Sequence, residues 1–343
     1  MKTSFERRGR VAALILCAGI ALAGCGQRGA ESGAPKADNA RDKAANEAGD
    51  ARAASSDDLD ALASKLENYV DCYNRVDGDV HKSIDRYGSW VKDMKAGPSG
   101  RETVVYGLYT VGADDIAKCK TTFADAASAA PKLAELDAAG GRYVEALAAV
   151  GALIDDAHTY YDRENYKDDG FAKAKTMHGP LVAGFDAFDA ASDAFSAALE
   201  RENDAMLNAR LAQIEKSEGK HAAYFQLAVM NRAKSLVGAM QGDEFDVAKA
   251  ADALARYETI ADEAIAYAKG GGQVPMMWSS FASETEDFRK DAKSRLRRVR
   301  DKEPYDQGER MLMSNGSGGW MVEGSPDQLI RSYNELVETS NRL

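Results

Sequence analysis

Proline and aromatic residues are scarce in this sequence of 343 residues. Only 7 prolines occur, and Phe, Trp and Tyr together make up 8% of the chain. A sheet protein would need more β-branched residues and more turn residues, so this composition argues against an all-β fold. Alanine is abundant, and alanine has the highest intrinsic helix propensity. The composition therefore predicts long helices.

Histidine is also rare, and no catalytic motif is built around it. None of His81, His158, His178 and His221 opens a His-x-x-Glu or a His-Glu-x-x-His pattern. The glycine-rich residues 316–319 lack the lysine of a phosphate-binding loop, and no Gly-x-Ser-x-Gly elbow occurs. The sequence thus predicts no catalytic residue and no cofactor, and we expect the protein not to be an enzyme.

Basic residues are fewer than acidic ones, 44 against 55. The formal net charge is −11, and because residues 1–24 carry four basic side chains and one acidic one, the chain from Cys25 onward stands near −14. A protein of this charge repels polyanions as a whole. We therefore expect no nucleic-acid partner.

The first 24 residues have the anatomy of a secretory signal peptide. Basic residues come first, and the apolar run that follows, residues 11–23, is too short to span a bilayer as a stable helix. Leu22-Ala23-Gly24-Cys25 then matches a bacterial lipobox at all four positions. We predict cleavage before Cys25 and lipidation of its thiol, which would be the contact with the membrane. A signal cleaved without lipidation and an uncleaved transmembrane anchor are the alternatives.

The residues after the lipobox predict a location and a tether. Gly26 stands where lipoproteins retained in the inner membrane carry an aspartate, so we expect an outer-membrane anchor with the domain in the periplasm. Another membrane face of the envelope is the alternative. Residues 25–57 have no apolar period, which predicts a flexible, disordered linker with a reach of about 30 Å.

The cysteine count points to an oxidising compartment. Of four cysteines, Cys17 leaves with the signal peptide and Cys25 takes the lipid, so Cys72 and Cys119 remain. Two remaining thiols in an exported protein predict one disulfide. Two unrelated buried thiols are the alternative.

From Asp58 to the C-terminus, apolar residues recur every three or four positions. This spacing predicts an all-α domain over residues 58–343, an antiparallel bundle of about seven long helices. Residues 101–113 are the one segment where a strand or irregular structure is expected. Ser325, Pro326 and Gln328 form a capping box that predicts the start of the last helix.

Two stretches resemble a known family. Residues 73–90, from Tyr73-Asn74-Arg75 to Gly88-Ser89-Trp90, and the closing Tyr333-Asn334-Glu335-Leu336-Val337-Glu338 resemble the YiiG-like family of bacterial lipoproteins, whose function is unknown. The resemblance extends over about residues 60–343. It implies an exported, mostly helical lipoprotein and supplies no catalytic residues. The recurring Tyr-Asn pair suggests that the first and last helices pack together, with chance recurrence as the alternative.

The first of these stretches contains a candidate polar site. Asp77, His81 and Asp85 are spaced by four residues, which places them along one side of a helix. One hypothesis is a metal or polar-ligand site made by these three side chains. The other is a network in which the carboxylates hold a partly exposed histidine.

Two further features suggest partners. Eight basic residues between Arg289 and Lys302, against two acidic ones, suggest binding to an anionic envelope polymer; a solvated helix end is the alternative. Met311, Met313, Trp320 and Met321, with Met276, Met277 and Trp278, suggest an apolar recognition rim, and loop residues tucked under the end of a bundle are the alternative.

Together these patterns predict a lipid-anchored cell-envelope protein with a non-catalytic binding or scaffolding role, possible partners being an envelope protein or an anionic polymer. The alternative is a ligand-binding module that holds a small molecule or metal between helices.

Overall fold

The computed structural model describes residues 56–314 and 318–343, and within these ranges the chain is helical and contains no strand. The predicted signal peptide, the lipobox with Cys25 and nearly all of the tether lie outside the described residues. The helices are α1 Ser56–Trp90, α2 Ala113–Ser128, α3 Ala134–Asp162, α4 Tyr166–Asp169, α5 Ala172–Ser217, α6 Ala222–Ala239, α7 Val247–Lys269, α8 Trp278–Arg300, α9 Gln307–Ser314 and α10 Pro326–Ser340. A single 3-10 turn, Gly319–Met321, precedes α10.

The predicted all-α bundle is confirmed. Eight of the helices in the described ranges have 15 residues or more, close to the seven expected. None of the helices described combines the length and apolar character needed to cross a bilayer.

The apolar side chains form two clusters, here called the N-terminal and C-terminal cores. The N-terminal core lies between α1, α2, α3 and α5. Its centre is a group of rings from all four helices, Tyr69, Phe123, Tyr143 and Phe195, with centroids 4.8–5.7 Å apart. Edge-to-face and stacked rings at these separations stabilise beyond the area that they bury.

The C-terminal core lies between α6, α7, α8 and α10. Tyr257 and Phe288 are fully buried there, with ring centroids 5.1 Å apart. Tyr333 belongs to this core, whereas Tyr73 belongs to the N-terminal one. The expectation that the two Tyr-Asn pairs bring the first and last helices together is therefore wrong, since α1 and α10 contribute to different cores.

Helix boundaries follow burial more closely than single-residue propensity. α1 continues through Gly78, because Val76 and Val80 on either side are buried, and this burial outweighs the cost of about 1 kcal/mol for a helical glycine. Pro180 lies inside α5 rather than at a helix start, with Leu181 and Phe185 buried after it. The predicted start of α10 is confirmed, because Ser325 Oγ accepts a hydrogen bond from the Gln328 N–H at 3.0 Å. The Gln328 side chain accepts from the Gly324 N–H, one residue before the cap, at 2.8 Å.

The disulfide between Cys72 and Cys119 is formed, as predicted. It joins α1 to α2 with a Cα–Cα distance of 5.4 Å, and both residues are buried in the N-terminal core. The bond closes a sequence separation of 47 residues. It fixes the position of α2 beside the helix that carries the family-like stretch.

Candidate functional site

Part of the predicted polar site is assembled where α1 packs against α5. Asp77 Oδ1 accepts a hydrogen bond from Ser192 Oγ at 2.6 Å, and that hydroxyl lies 3.0 Å from the hydroxyl of Tyr73. Tyr73 and Ser192 are buried, and Asp77 is mostly so. Burial raises the pKa of Tyr73 well above its usual range, so the phenol stays neutral and can donate. The chain of contacts fixes the register between α1 and α5.

His81 lies at the exposed end of this network, between two carboxylates. Its Nδ1 is 3.2 Å from Asp77 Oδ2 and 2.9 Å from the Asp77 carbonyl, and its Nε2 is 3.4 Å from Asp189 Oδ1. Asp189 and Asp77 raise the pKa of His81 to about 11. The imidazole is therefore protonated at neutral pH, and both ring nitrogens act as donors.

The structure brings Asp77 and His81 together as expected, but the second carboxylate beside His81 is Asp189 of α5, which the sequence pattern did not indicate. Asp85 lines a neighbouring groove on α1. Metal binding requires a neutral imidazole, and a protonated one has no lone pair to offer. Within residues 56–314 and 318–343 no group of three or more His, Cys, Asp or Glu side chains is arranged to hold a metal ion. The geometry favours the carboxylate-held histidine.

The other side of α1 positions an irregular segment, residues 101–112. Ser83 Oγ donates to the Tyr109 carbonyl at 2.9 Å, Arg86 Nε donates to the Tyr106 carbonyl at 2.8 Å, and Trp90 Nε1 donates to the Gly107 carbonyl at 3.0 Å. The three donors are spaced three or four residues apart on α1. They satisfy backbone carbonyls of this extended segment that would otherwise need a neighbouring strand. The hydrogen bonds give Ser83, Arg86 and Trp90 of the family-like stretch a structural role.

These contacts hold two tyrosines out towards solvent. Tyr106 and Tyr109 are about half exposed, at 51% and 50%, although the segment's Leu108 and Val111 are buried beneath them. The guanidinium of Arg86 lies 4.3 Å from the Tyr109 ring centroid and 5.7 Å from that of Tyr106. The two rings thus present an exposed aromatic surface on a backbone that is held in place.

A groove of about 430 Å³ opens beside these rings, here called the tyrosine groove. It is lined by Lys82, Asp85, Arg86, Ser89, Tyr106 and Tyr109. Four of the six lie in the family-like stretch of α1. Aromatic and arginine side chains are the types enriched in binding surfaces, since they give large contact areas at low cost in side-chain entropy.

Most of the basic residues on α8 are engaged in contacts within the protein, and two of them are buried. Arg295 is 1% exposed and donates to the Gly324 carbonyl and to the Tyr305 hydroxyl, both at 3.1 Å, and also to the Gly242 carbonyl. Arg298 binds the Glu323 carbonyl and the Glu309 carboxylate. Arg289, Lys290, Lys293 and Arg300 form ion pairs with carboxylates. The run is therefore not a continuous basic surface.

The predicted apolar rim separates into two places. Met276 and Met277 precede the N-terminus of α8, whereas α9 and the 3-10 turn lie at its C-terminal end, where Arg298 binds Glu309. The 23 residues of α8 separate these places by about 34 Å. Trp278 is buried and belongs to neither surface.

Comparison with known proteins agrees with the resemblance found in the sequence. A family model described as "Protein of unknown function (DUF3829)" matches residues 60–342. The chain is 35% identical over 287 residues to the uncharacterized protein YiiG of Escherichia coli (strain K12), an alignment that covers 84% of this chain and 80% of that protein. No solved structure matches the chain. The chain therefore belongs to the YiiG-like family of proteins of unknown function.

Proposed function

We propose that the protein is a lipid-anchored lipoprotein of the cell envelope that binds or scaffolds a partner without catalysing a reaction. The observation that carries this proposal is the tyrosine groove, because its aromatic side chains are exposed while their backbone is fixed by three hydrogen bonds from α1. An exposed aromatic surface on a fixed backbone favours binding, since little backbone freedom is lost on association.

The pKa values of two α1 side chains that lie outside the groove, His81 and Tyr87, support a non-catalytic role. General acid–base catalysis needs a group whose pKa lies near the working pH. Here the carboxylates raise the pKa of His81 to about 11, and burial raises that of Tyr87 to about 12. Both groups hold their protons at neutral pH and serve as donors in fixed contacts.

The disulfide and the lipobox support the proposed location. Disulfides persist in oxidising compartments such as the periplasm, and the bond between Cys72 and Cys119 is buried in the core. Lipidation of Cys25 would anchor the domain at an envelope membrane, with the outer membrane preferred. The expected partner is then an envelope protein; an anionic envelope polymer is less favoured, because the basic run on α8 is engaged in internal contacts.

The lipid anchor is tested by labelling cells with a palmitate analogue. The full-length chain should incorporate label and fractionate with the outer membrane, whereas a Cys25→Ser variant should do neither. Label on Cys25→Ser, or wild-type chain released in soluble form, would exclude the anchor. Labelled chain in the inner-membrane fraction would instead support the alternative location.

The binding role is tested by cross-linking the full chain in envelope membranes. We expect a defined cross-linked partner with the wild type and its loss with Tyr106→Ala/Tyr109→Ala. A matched control is Val274→Ala/Met276→Ala, which also removes two exposed apolar side chains but near the start of α8. If the tyrosine variant retains the same partner in the same yield, the tyrosine groove is not the binding surface.

A small ligand is the second candidate, favoured by the volume and mixed lining of the same groove. It predicts an increase in Tm with one compound from a screen of envelope metabolites, abolished by Tyr109→Ala. A ligand of this kind would lie on the surface of α1, between its polar side chains and the two tyrosine rings.

A further inference from the structure

A second exposed surface lies in the C-terminal half of the described chain and plays no part in the function proposed above. It consists of α9, the 3-10 turn and the outward side of α10, and is here called the acidic methionine surface. Met311, Leu312, Trp320 and Met321 are each more than one third exposed, and α9 buries none of its residues. Most of the large apolar side chains of the other helices are buried, so this concentration of exposed ones is unusual and is typical of interaction sites.

This surface is continuous and anchored. Arg298 binds Glu309 of α9 at 2.8 Å and the Glu323 carbonyl at 2.7 Å, so α9 and the residues before α10 are tied to the same side chain of α8. The guanidinium of Arg331 in α10 lies 3.8 Å from the centroid of the Trp320 ring. The exposed apolar side chains are therefore presented by a fixed backbone.

A groove of about 370 Å³ runs from Trp320 along α10. It is lined by Gly319, Trp320, Asp327, Ile330, Arg331, Asn334, Glu335 and Glu338. Three of these residues are acidic and one is basic. The indole of Trp320 thus lines a groove whose charged groups are mainly carboxylates.

Carboxylates outnumber cations around the groove. Glu284, Asp287 and Asp291 of the adjacent α8 add to the acidic groups. The nearby cations are fewer: Lys290 pairs with Asp287, Arg331 with Glu335 and Arg342 with Glu338. Burial, then Glu335 and Asp287, raise the pKa of Glu284 above its usual value. A positively charged partner would relieve this mutual repulsion.

We infer that the acidic methionine surface binds a basic amphipathic segment of another protein. The apolar face of that segment would contact Met311, Leu312, Trp320 and Met321, and its Lys or Arg side chains would lie along Glu335 and Glu338. Methionine side chains adapt to varied apolar partners, and a helix laid in a groove is a common form of such recognition. The carboxylates supply the charge complementarity that selects a basic partner.

Two other occupants fit less well. An anionic lipid surface would be repelled by the carboxylates that line the groove. A second copy of this chain would have to supply its own basic run, but Arg289, Arg295 and Arg298 of that run are engaged in internal contacts. A separate basic segment remains the best match.

Trp320 provides a direct reporter of binding. The chain has three tryptophans, and Trp90 and Trp278 are each 4% exposed whereas Trp320 is 43% exposed. The full-length chain would be titrated at low salt with a Leu/Lys peptide of about 18 residues, five turns of helix, designed without aromatic residues. The same peptide with Glu in place of Lys, a scrambled Leu/Lys peptide and anionic vesicles are the comparison ligands.

We expect saturable binding of the Leu/Lys peptide with a blue shift of the Trp320 emission. Glu335→Gln/Glu338→Gln should weaken this binding about tenfold, since it removes two carboxylates that would face the Lys side chains of the peptide. The matched control Glu145→Gln/Asp155→Asn makes the same change in net charge on an exposed side of α3 and should leave the affinity unchanged. Circular dichroism confirms that each variant is folded.

Several results would overturn the inference. These are no saturable binding of the Leu/Lys peptide, equal binding of the Glu or scrambled peptide, or a larger emission shift with anionic vesicles. Unchanged affinity of Glu335→Gln/Glu338→Gln would have the same meaning. This surface lies over the C-terminal core and the tyrosine groove over the N-terminal core, so Tyr106→Ala/Tyr109→Ala should not alter the titration. A failure of one proposal therefore leaves the other standing.

Discussion

At the scale of single residues, His81 shows how two carboxylates convert a titrating side chain into a fixed cation. The histidine titrates near 6.5 in an unfolded chain and near 11 beside Asp189 and Asp77. Because the pKa is raised on folding, its contribution to stability is complete below about pH 6.5 and declines as the pH rises towards 11. The contribution should therefore weaken in alkaline solution.

This predicts a pH-dependent effect of His81→Gln. We expect the variant to lower the free energy of unfolding by about 1 kcal/mol at pH 6 and by less at pH 9, since solvent screens an ion pair whose histidine is 45% exposed. Urea unfolding at both pH values measures the difference. His158→Gln, at a half-buried histidine of α3 without an ion pair in the described ranges, is the control and should show no such trend. An effect of His81→Gln that grows with pH would contradict the assignment.

Trp90 has a structural role of another kind. Its indole N–H holds the irregular segment, residues 101–112, against α1. Trp90→Phe keeps a buried ring but leaves the Gly107 carbonyl without this donor. We expect a loss of about 1–3 kcal/mol in the stability of this attachment, the usual cost of an unpaired buried polar group. Faster trypsin cleavage at the exposed Arg101 would show it. Cleavage at the wild-type rate would mean that Ser83 and Arg86 alone hold the segment.

At the scale of elements, the disulfide decides how firmly α2 is attached. Cys72→Ala/Cys119→Ala should lower the free energy of unfolding by roughly 4 kcal/mol, because the unfolded chain regains the entropy of a loop of 47 residues. Urea unfolding of wild type, reduced wild type and the double variant provides the measurement. The reduced wild type should match the variant; if it matches the oxidised protein instead, the bond contributes little to stability.

The helices were predictable from the sequence because each carries its own apolar period. Leu66, Tyr69, Tyr73, Val76 and Val80 are all buried, as their spacing indicates. The cap of α10 depends only on residues close to each other in the sequence. The disulfide follows from counting the cysteines that remain after the signal peptide and the lipidated residue. Such features need no knowledge of which helices are neighbours.

The candidate sites were harder to predict because they depend on contacts between helices. Asp189 lies 108 residues after His81, and only the packing of α5 on α1 brings their side chains together. The tyrosine groove depends on hydrogen bonds to backbone carbonyls, which leave no trace in side-chain patterns. Likewise, nothing in the composition of α8 distinguishes the buried Arg295 from its exposed neighbour Arg297.

At the scale of the whole molecule, the two cores meet between α5 and α6, where polar pairs make part of the contact. Asn231 Nδ2 donates to Asn208 Oδ1 at 3.1 Å, and Lys234 Nζ lies 2.7 Å from Asp204 Oδ1. The apolar part is small: Leu227 of α6 is buried in the N-terminal core, and Tyr224 packs against both cores. Polar contacts of this kind stabilise less than apolar burial. The two cores should therefore couple only weakly during unfolding.

Truncation of one central ring tests this coupling. Phe288→Ala empties the centre of the C-terminal core and should cost about 3–5 kcal/mol there. Hydrogen exchange should then accelerate in α7, α8 and α10 and remain unchanged in α1 and α3, because local unfolding follows the stability of each cooperative unit. Phe195→Ala, an equally buried ring in the N-terminal core, is the matched control and should give the reverse pattern. Equal acceleration in both cores with either variant would show instead that the α5–α6 contact transmits the full loss, and that the domain unfolds as one unit.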